Sequence, residues 1–259
     1  IAARRAGADV YFIAMLGKDP FGQMALDLYA DEGVKTDYVF QTGEQDTGAA
    51  DIMVNDVTGD NAIIVVPGAA DLLRPQDVEK AESVIQNSSV FMTNLEVPVE
   101  TMHKGLELAR KHQLKTIFNP APAVEFPESV YPLCDFFTPN ETEASFYLNR
   151  KIETEKEIED GAKDFLNRGV KNIVITLGSK GVYFQNSKES YFVEAVKLKE
   201  EVLDTTGAGD AFNGAFSYAL SNEFSYKDAL VFSNKVAGIS TTKLGAANSM
   251  PTINEVEKY

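Results

Sequence analysis

The chain has 259 residues, 44% of them hydrophobic, and carries 24 Lys and Arg against 39 Asp and Glu for a formal net charge of −15. That length suffices for a large α/β domain with a sizeable core, and the charge excludes binding to a nucleic-acid backbone or an anionic membrane through bulk electrostatics. The single cysteine excludes an internal disulfide, the two histidines leave no zinc set, and no stretch resembles a signal peptide or the run of about 18 apolar residues that a membrane span requires, so a cytoplasmic protein is expected.

Ile1 to Gly7 reads as the last turns of a helix closed by Gly7, with no cap in front. The chain is therefore expected to start inside an element and to lack an N-terminal segment. Val10 to Leu16 is apolar and predicts a strand. Asp19-Pro20, an N-cap ahead of a proline at the first helical position, predicts a helix running to Glu32 and closed by Gly33. Between Gly48 and Val66 the pattern changes to two strands, Ala49–Asn55 and Ala62–Val66, around a turn at Asp56 to Asn61. After Pro75 helix and strand alternate: helix 76–86, strand 89–94, helix 98–112, strand 114–118, strand 134–138, helices 141–149 and 155–168, strand 172–177, a hairpin over 181–194, then helices 210–221 and 226–241. Repeated units of this kind predict an α/β fold with a mainly parallel central sheet and helices on both faces. No repeat or linker divides the chain, so one domain over 1–259 is expected, with a β excursion at about 48–66.

Some chemically suggestive residues have plain explanations. Cys134 lies in the apolar stretch Tyr131 to Phe137 and reads as a buried structural thiol. His103 and His112 fall among Lys and Glu on an amphipathic helix and read as part of its solvated face. The acidic segment Lys151 to Asp164 places Ile158, Ala162 and Phe165 at helical spacing, which predicts a solvated helix face rather than a metal site.

Ligands of parallel α/β sheets collect at the carboxyl ends of strands. Four segments occupy such places: Asn119 to Ala123, Pro139 to Ala144, Gly178 to Gly181, and Asp204 to Asp210 after the strand-like Val202-Leu203. In the last of these, Gly207 and Gly209 carry no Cβ, so their backbone N–H groups can approach an anion at a helix start, and Asp210 stands beside them as a base. No Lys-Ser/Thr follows as in a P-loop, and the third glycine of a dinucleotide fingerprint is missing. The same run also reads as a loop ending in a helix-capping Asp. Asn140 with Glu143 reads equally as a capping pair, and Thr176 to Gly181 as a simple hairpin turn. A phosphoryl-transfer site needs a metal-organising carboxylate, phosphate donors and a base on one rim, and these segments together meet that description.

Asp204-Thr205-Thr206-Gly207-Ala208-Gly209-Asp210 resembles the signature of the ribokinase-like carbohydrate kinase family. Asn119-Pro120-Ala121-Pro122, Thr138 to Ala144 and Gly245 to Pro251 resemble further motifs of that family, in its order, across essentially the whole chain. The resemblance implies ATP-dependent phosphorylation of D-ribose at its 5-hydroxyl, with Asp210 as base and the N–H groups around Gly207, Ala208 and Gly209 as anion hole. It further implies that Glu96 contacts the sugar, and that Asn140 and Glu143 organise Mg2+ through water. Asn140, Thr176, Leu177, Gly178, Ser179, Lys180, Gly181, Gly209 and Asn234 would border the nucleotide. Asp204, Thr206, Ser240, Lys243, Gly245 and Ser249 would surround a monovalent cation, K+, mostly through backbone carbonyls. Residues 48–66 would form part of a β-sheet lid and a homodimer contact. The family carries more at its N-terminus, including a sugar-binding Asp, and often has Asn where this chain has Ala70. Two alternatives follow: a kinase for deoxyribose, a nucleoside or another furanose, and a catalytically silent nucleotide-binding protein.

Overall fold

A computed structural model describes residues 1–54 and 61–259. The turn expected at 56–61 lies almost wholly outside the described residues. Helix α1 (Ala2–Ala6) ends, as expected, at Gly7, whose φ of 115° no other residue adopts without strain. Strand β1 (Tyr11–Gly17) leads into helix α2 (Pro20–Asp31), where the Asp19 side chain accepts the N–H of Gly22 at 2.8 Å. Strand β2 (Lys35–Thr42) was not expected from the sequence. It pairs in parallel with β1, but its side chains are half-buried without regular alternation, so no period-two signal marks it.

Strands β3 (Thr47–Val54) and β4 (Asn61–Gly68) form an antiparallel pair with Ala49 opposite Val66 and Asp51 opposite Ile64. Met53, Ile64, Val65 and Val66 are exposed, so this small sheet leaves apolar side chains uncovered. The single helix expected over 76–86 is two, α3 (Pro75–Lys80) and α4 (Glu82–Gln86). They are parted at the fully buried Ala81, whose N–H takes the tighter bond to the Val78 carbonyl at 3.0 Å.

The main sheet holds β5 (Val90–Thr93), β6 (Lys115–Phe118), β7 (Phe136–Phe137), β8 (Asn172–Thr176), β9 (Val182–Asn186) and β10 (Ser190–Val193), in the order β10-β9-β8-β7-β6-β5. Strands β5 to β8 are parallel, while β9 and β10 add antiparallel pairs at one edge. Strand β7 is shorter than the expected 134–138 because Asp135 replaces ladder bonds with side-chain ones: its carboxylate accepts the Thr116 N–H at 3.0 Å and its own N–H donates to Thr116 Oγ1 at 2.7 Å. Val202-Leu203 is not a strand; the N–H groups of Leu203 and Asp204 both donate to the Thr241 carbonyl instead.

Helices α5 (Val99–Lys111), α6 (Glu141–Leu148) and α7 (Glu155–Asn167) cover one face of this sheet, and α8 (Ala208–Ser221) and α9 (Tyr226–Ser240) the other. The period-two rule decides which side chain serves which face. Phe118, Phe137, Ile173, Ile175 and Tyr183 join the first core with Leu106, Ala144 and Phe165. Their neighbours Ile117, Phe136, Val174, Val182 and Phe184 join the second with Phe212, Phe216 and Leu230. Each fully buried ring or branched side chain contributes roughly 1.5–3 kcal/mol, which fixes the height of the strand ends that carry the site. A last helix, α10 (Ile253–Lys258), was not expected.

Cys134 is fully buried, and burial pushes its thiol above the usual range, in keeping with a structural role. His112 departs from the expected solvated face: it is half-buried with Nε2 2.7 Å from Glu82. No helix among the described residues is long and apolar enough to cross a membrane.

Candidate active site

Above the carboxyl ends of β5 to β8 lies a cavity of about 210 Å³. Eight residues singled out in the sequence line it: Glu96, Asn140, Glu143, Thr176, Gly207, Ala208, Gly209 and Asp210. Asn94, Asn119, Ala121, Thr138, Thr205 and Asn213 line it as well, none of them assigned a role from the sequence. Asn119, Ala121 and Thr205 lie in segments that the strand-end rule selected, whereas Asn94 and Thr138 stand one residue beyond β5 and β7 but fall inside the strands expected over 89–94 and 134–138.

The anion turn opens helix α8, and the helix begins at Ala208, two residues earlier than expected. Gly207 is its N-cap with φ 74°, a left-handed conformation that glycine adopts freely. A glycine cap brings no side chain to consume the N–H groups of the first turn. Among the described residues the N–H groups of Gly207, Gly209 and Asp210 have no acceptor. That of Ala208, which the sequence reading grouped with Gly207 and Gly209, donates to the Thr205 carbonyl at 3.2 Å. Gly209 is exposed, and a Cβ built there would meet no protein atom within 4 Å. Packing therefore does not require glycine at this position.

Asp210 is exposed to water at the cavity, with protein mass packed around its base. That surrounding mass, and then the negative charge of Glu96, raises its carboxyl above the ordinary aspartate range. Glu96 is exposed, and its carboxylate accepts the Asn94 amide at 2.9 Å. Asn140 and Glu143 form a reciprocal capping box at the start of α6: the Glu143 N–H donates to Asn140 Oδ1 and the Asn140 N–H to Glu143 Oε2, each at 2.8 Å. The capping reading thus holds, but it uses only one carboxylate oxygen. Glu143 is 8% exposed, and burial raises its carboxyl, so a cation at the open oxygen would relieve the cost of keeping it ionised. No group of three His, Cys, Asp or Glu among the described residues stands close enough to cage a metal. Mg2+ accepts such a site, because it takes one or two carboxylates and keeps waters and phosphate oxygens in its remaining positions.

The other sequence-selected residues stand outside this cavity. Leu177 is 3% exposed inside the first core, so its side chain serves packing rather than a nucleotide. Gly178, Ser179 and Lys180 form a short exposed turn above β8, with Lys180 3.2 Å from Glu141. At Gly181 φ is 102°, and a Cβ would lie 2.1 Å from the Val193 carbonyl oxygen, which ties this glycine to the β9–β10 hairpin. Asn234 is buried, with its amide donating to the carbonyls of Val193 and Glu194 at 3.2 Å each. Asp204 joins two loops: one oxygen accepts the Thr206 N–H and the other the Gly245 N–H, both at 2.9 Å. Bonding to Thr206 and then to Gly245 holds its carboxyl below the usual range. The Ser240 carbonyl accepts the Lys243 N–H at 3.2 Å, Lys243 Nζ lies 2.6 Å from Glu255, and the hydroxyl of Ser249 donates to the Ala246 carbonyl.

Residues 1–253 match the family described as pfkB family carbohydrate kinase. The chain is 37% identical over 259 residues to a ribokinase of Staphylococcus aureus (strain COL), spanning all of this chain and 84% of that protein. It is 34% identical over 259 residues to a ribokinase of Haemophilus influenzae, with the same coverage. A solved structure of Arabidopsis thaliana ribokinase complexed with ribose and ATP is similar at a TM-score of 0.91 and 27% identity, over 99% of this chain and 83% of that one.

Proposed function

The chain belongs to the pfkB family of carbohydrate kinases, and from that premise we propose that it transfers the terminal phosphoryl group of ATP to the 5-hydroxyl of D-ribose. The observation that carries this reading is the convergence of Asp210 with the unpaired N–H groups of the α8 first turn on one cavity. A phosphoryl transfer asks for little more than position and charge stabilisation. Asp210 takes the proton of the attacking hydroxyl, which its raised basicity favours once it is ionised. The N–H groups of Gly207, Gly209 and Asp210, at the positive end of α8, stabilise negative charge on the phosphoryl oxygens. Glu96, which lines the same cavity, accepts a sugar hydroxyl.

Glu143, with Asn140, holds Mg2+ through water; the ion, when bound, screens the phosphate charge that three carboxylates in one cavity would otherwise repel. Thr176 and the turn Gly178 to Gly181 border the nucleotide, with Asn234 holding the hairpin beside it. Asp204, Thr206, Ser240, Lys243, Gly245 and Ser249 order a K+ ion next to the anion turn. The β3–β4 sheet closes over the sugar and pairs with a second copy through its exposed Met53, Ile64 and Val66, since such a surface favours burial. We read the chain as one catalytic domain acting in the cytoplasm.

The test is ADP release by the full-length protein with D-ribose, 2-deoxy-D-ribose and ribonucleosides. D-ribose is expected to give the highest kcat/KM, and Asp210→Asn to lower its kcat by about 10²–10⁴-fold. No sugar-dependent turnover, or an Asp210→Asn enzyme at near-normal rate, would overturn the reading.

A further inference from the structure

The first turn of α8 must be held in place without a side-chain cap, because a capping Ser or Asp at position 207 would occupy the N–H groups that the anion needs. An anchor is present on the carbonyl side. Asn213, one turn further along α8, donates its amide N–H to the Gly209 carbonyl at 3.0 Å. Its Oδ1 accepts the hydroxyl of Thr138 at 2.8 Å. Thr138 is itself fixed to the sheet, its N–H donating to the Phe118 carbonyl at 2.9 Å. Two residues beyond Thr138 stands Asn140, the N-cap of α6 and partner of Glu143.

Both side chains are buried, Thr138 at 2% and Asn213 at 4% exposure, yet both line the cavity. Helix geometry already assigns the Gly209 carbonyl the backbone N–H of residue 213. The side-chain bond is therefore additional to what the helix requires. Its effect is to grip the peptide unit that joins Gly209 to Asp210 and tie it to the end of β7.

We infer that the Thr138–Asn213 pair is a positioning device for phosphoryl transfer, setting the separation between the anion turn with its base and the metal-holding start of α6. Neither residue touches the reacting atoms. They act through Gly209 and Asp210, so loss of the link affects the chemical step more than substrate binding. The inference rests on the proposed role of this turn.

Its test compares Thr138→Val, which keeps shape and removes the hydroxyl, with Thr138→Ser, which keeps the hydroxyl. Thr138→Val is expected to lower kcat about 10–100-fold, the scale of a misplacement of roughly 1 Å, with KM for ribose and ATP within about 3-fold of the parent. Thr138→Ser is expected to restore kcat to within about 3-fold of the parent. Amide hydrogen exchange gives a readout independent of activity: Thr138→Val should accelerate exchange over 207–214 and leave 226–240 unchanged. An unaltered kcat, a Thr138→Ser enzyme as impaired as Thr138→Val, or acceleration spread evenly over the chain overturns the inference. If the parent protein shows no ribose-dependent turnover, the proposed function fails, while the exchange comparison alone still decides the link: acceleration confined to 207–214 supports it and unchanged exchange overturns it.

Discussion

Replacing Gly209 with alanine should leave the fold as stable as before, or slightly more so, while removing most of the turnover. Gly209 lies inside α8 without a positive φ, and a Cβ there meets no protein atom within 4 Å. Alanine is favoured over glycine by up to about 1 kcal/mol in a helix interior and by less near its start, which for a chain of this size raises Tm by about 1–3 °C. The new methyl enters the space beside the unpaired N–H groups. Pushing an anion off one such donor costs about 10²–10³ in kcat. Gly207→Ala supplies the contrast. At φ 74°, with Ala246 atoms 3.3 Å from the added Cβ, alanine meets left-handed strain of about 1–2 kcal/mol, and Tm should fall by several degrees. Thermal melts and coupled ADP-release assays on both variants check the pair. A Gly209→Ala enzyme with more than about a third of the parent kcat, or with a clearly lowered Tm, would refute the argument that glycine is required there for the ligand.

Three further outcomes are expected. The base must be ionised to act, so kcat should fall as pH drops through the raised pKa of Asp210; Glu96→Gln removes the negative charge that helps raise it and should move this acid limb to lower pH, and a limb that stays put or moves upward contradicts the assignment. Because the folded-state pKa of Asp210 lies above its unfolded value, its ionised form opposes folding at neutral pH; Asp210→Asn should therefore melt higher than the parent at pH 7, with the gain shrinking toward acid pH, and a lower Tm counts against the assigned environment. Asp204→Ala removes the acceptor shared by the Thr206 and Gly245 N–H groups and should abolish activation by K+ relative to Na+; a steep K+ dependence surviving in the variant excludes these loops as the cation site.

Much of the fold is legible in the residues because local rules and burial agree. Asp19-Pro20, Asn140 with Glu143 and Thr154 with Glu157 are caps whose partners lie three residues away, and each starts a helix where expected. Strand β8 carries the short apolar run Ile173-Val174-Ile175, buried on both faces as a central strand must be. The failures are places where distant partners decide. Strand β2 exists because β1 offers it a ladder, and Val202-Leu203 is not a strand, the N–H groups of Leu203 and Asp204 going to the carbonyl of Thr241 just past α9. The break at Ala81 carries no breaker residue; Ala81 is buried in one cluster with Leu108 and Ala109 of α5.

The site divides along the same line. Sequence alone determined the chemistry available: a glycine turn with an aspartate at a helix start, a carboxylate beside an asparagine cap, and a glutamate after a strand, all carried in short motifs. What only the tertiary structure decided is which of those groups share one cavity and which N–H groups stay unpaired. Leu177 belongs to the core, and Thr138 and Asn213, separated by 75 positions in the chain, are hydrogen-bonded to each other beside the turn. Motif chemistry is local, whereas burial and side-chain partnership across the sheet depend on segments far apart in sequence, and those decide which motif residues meet in one cavity.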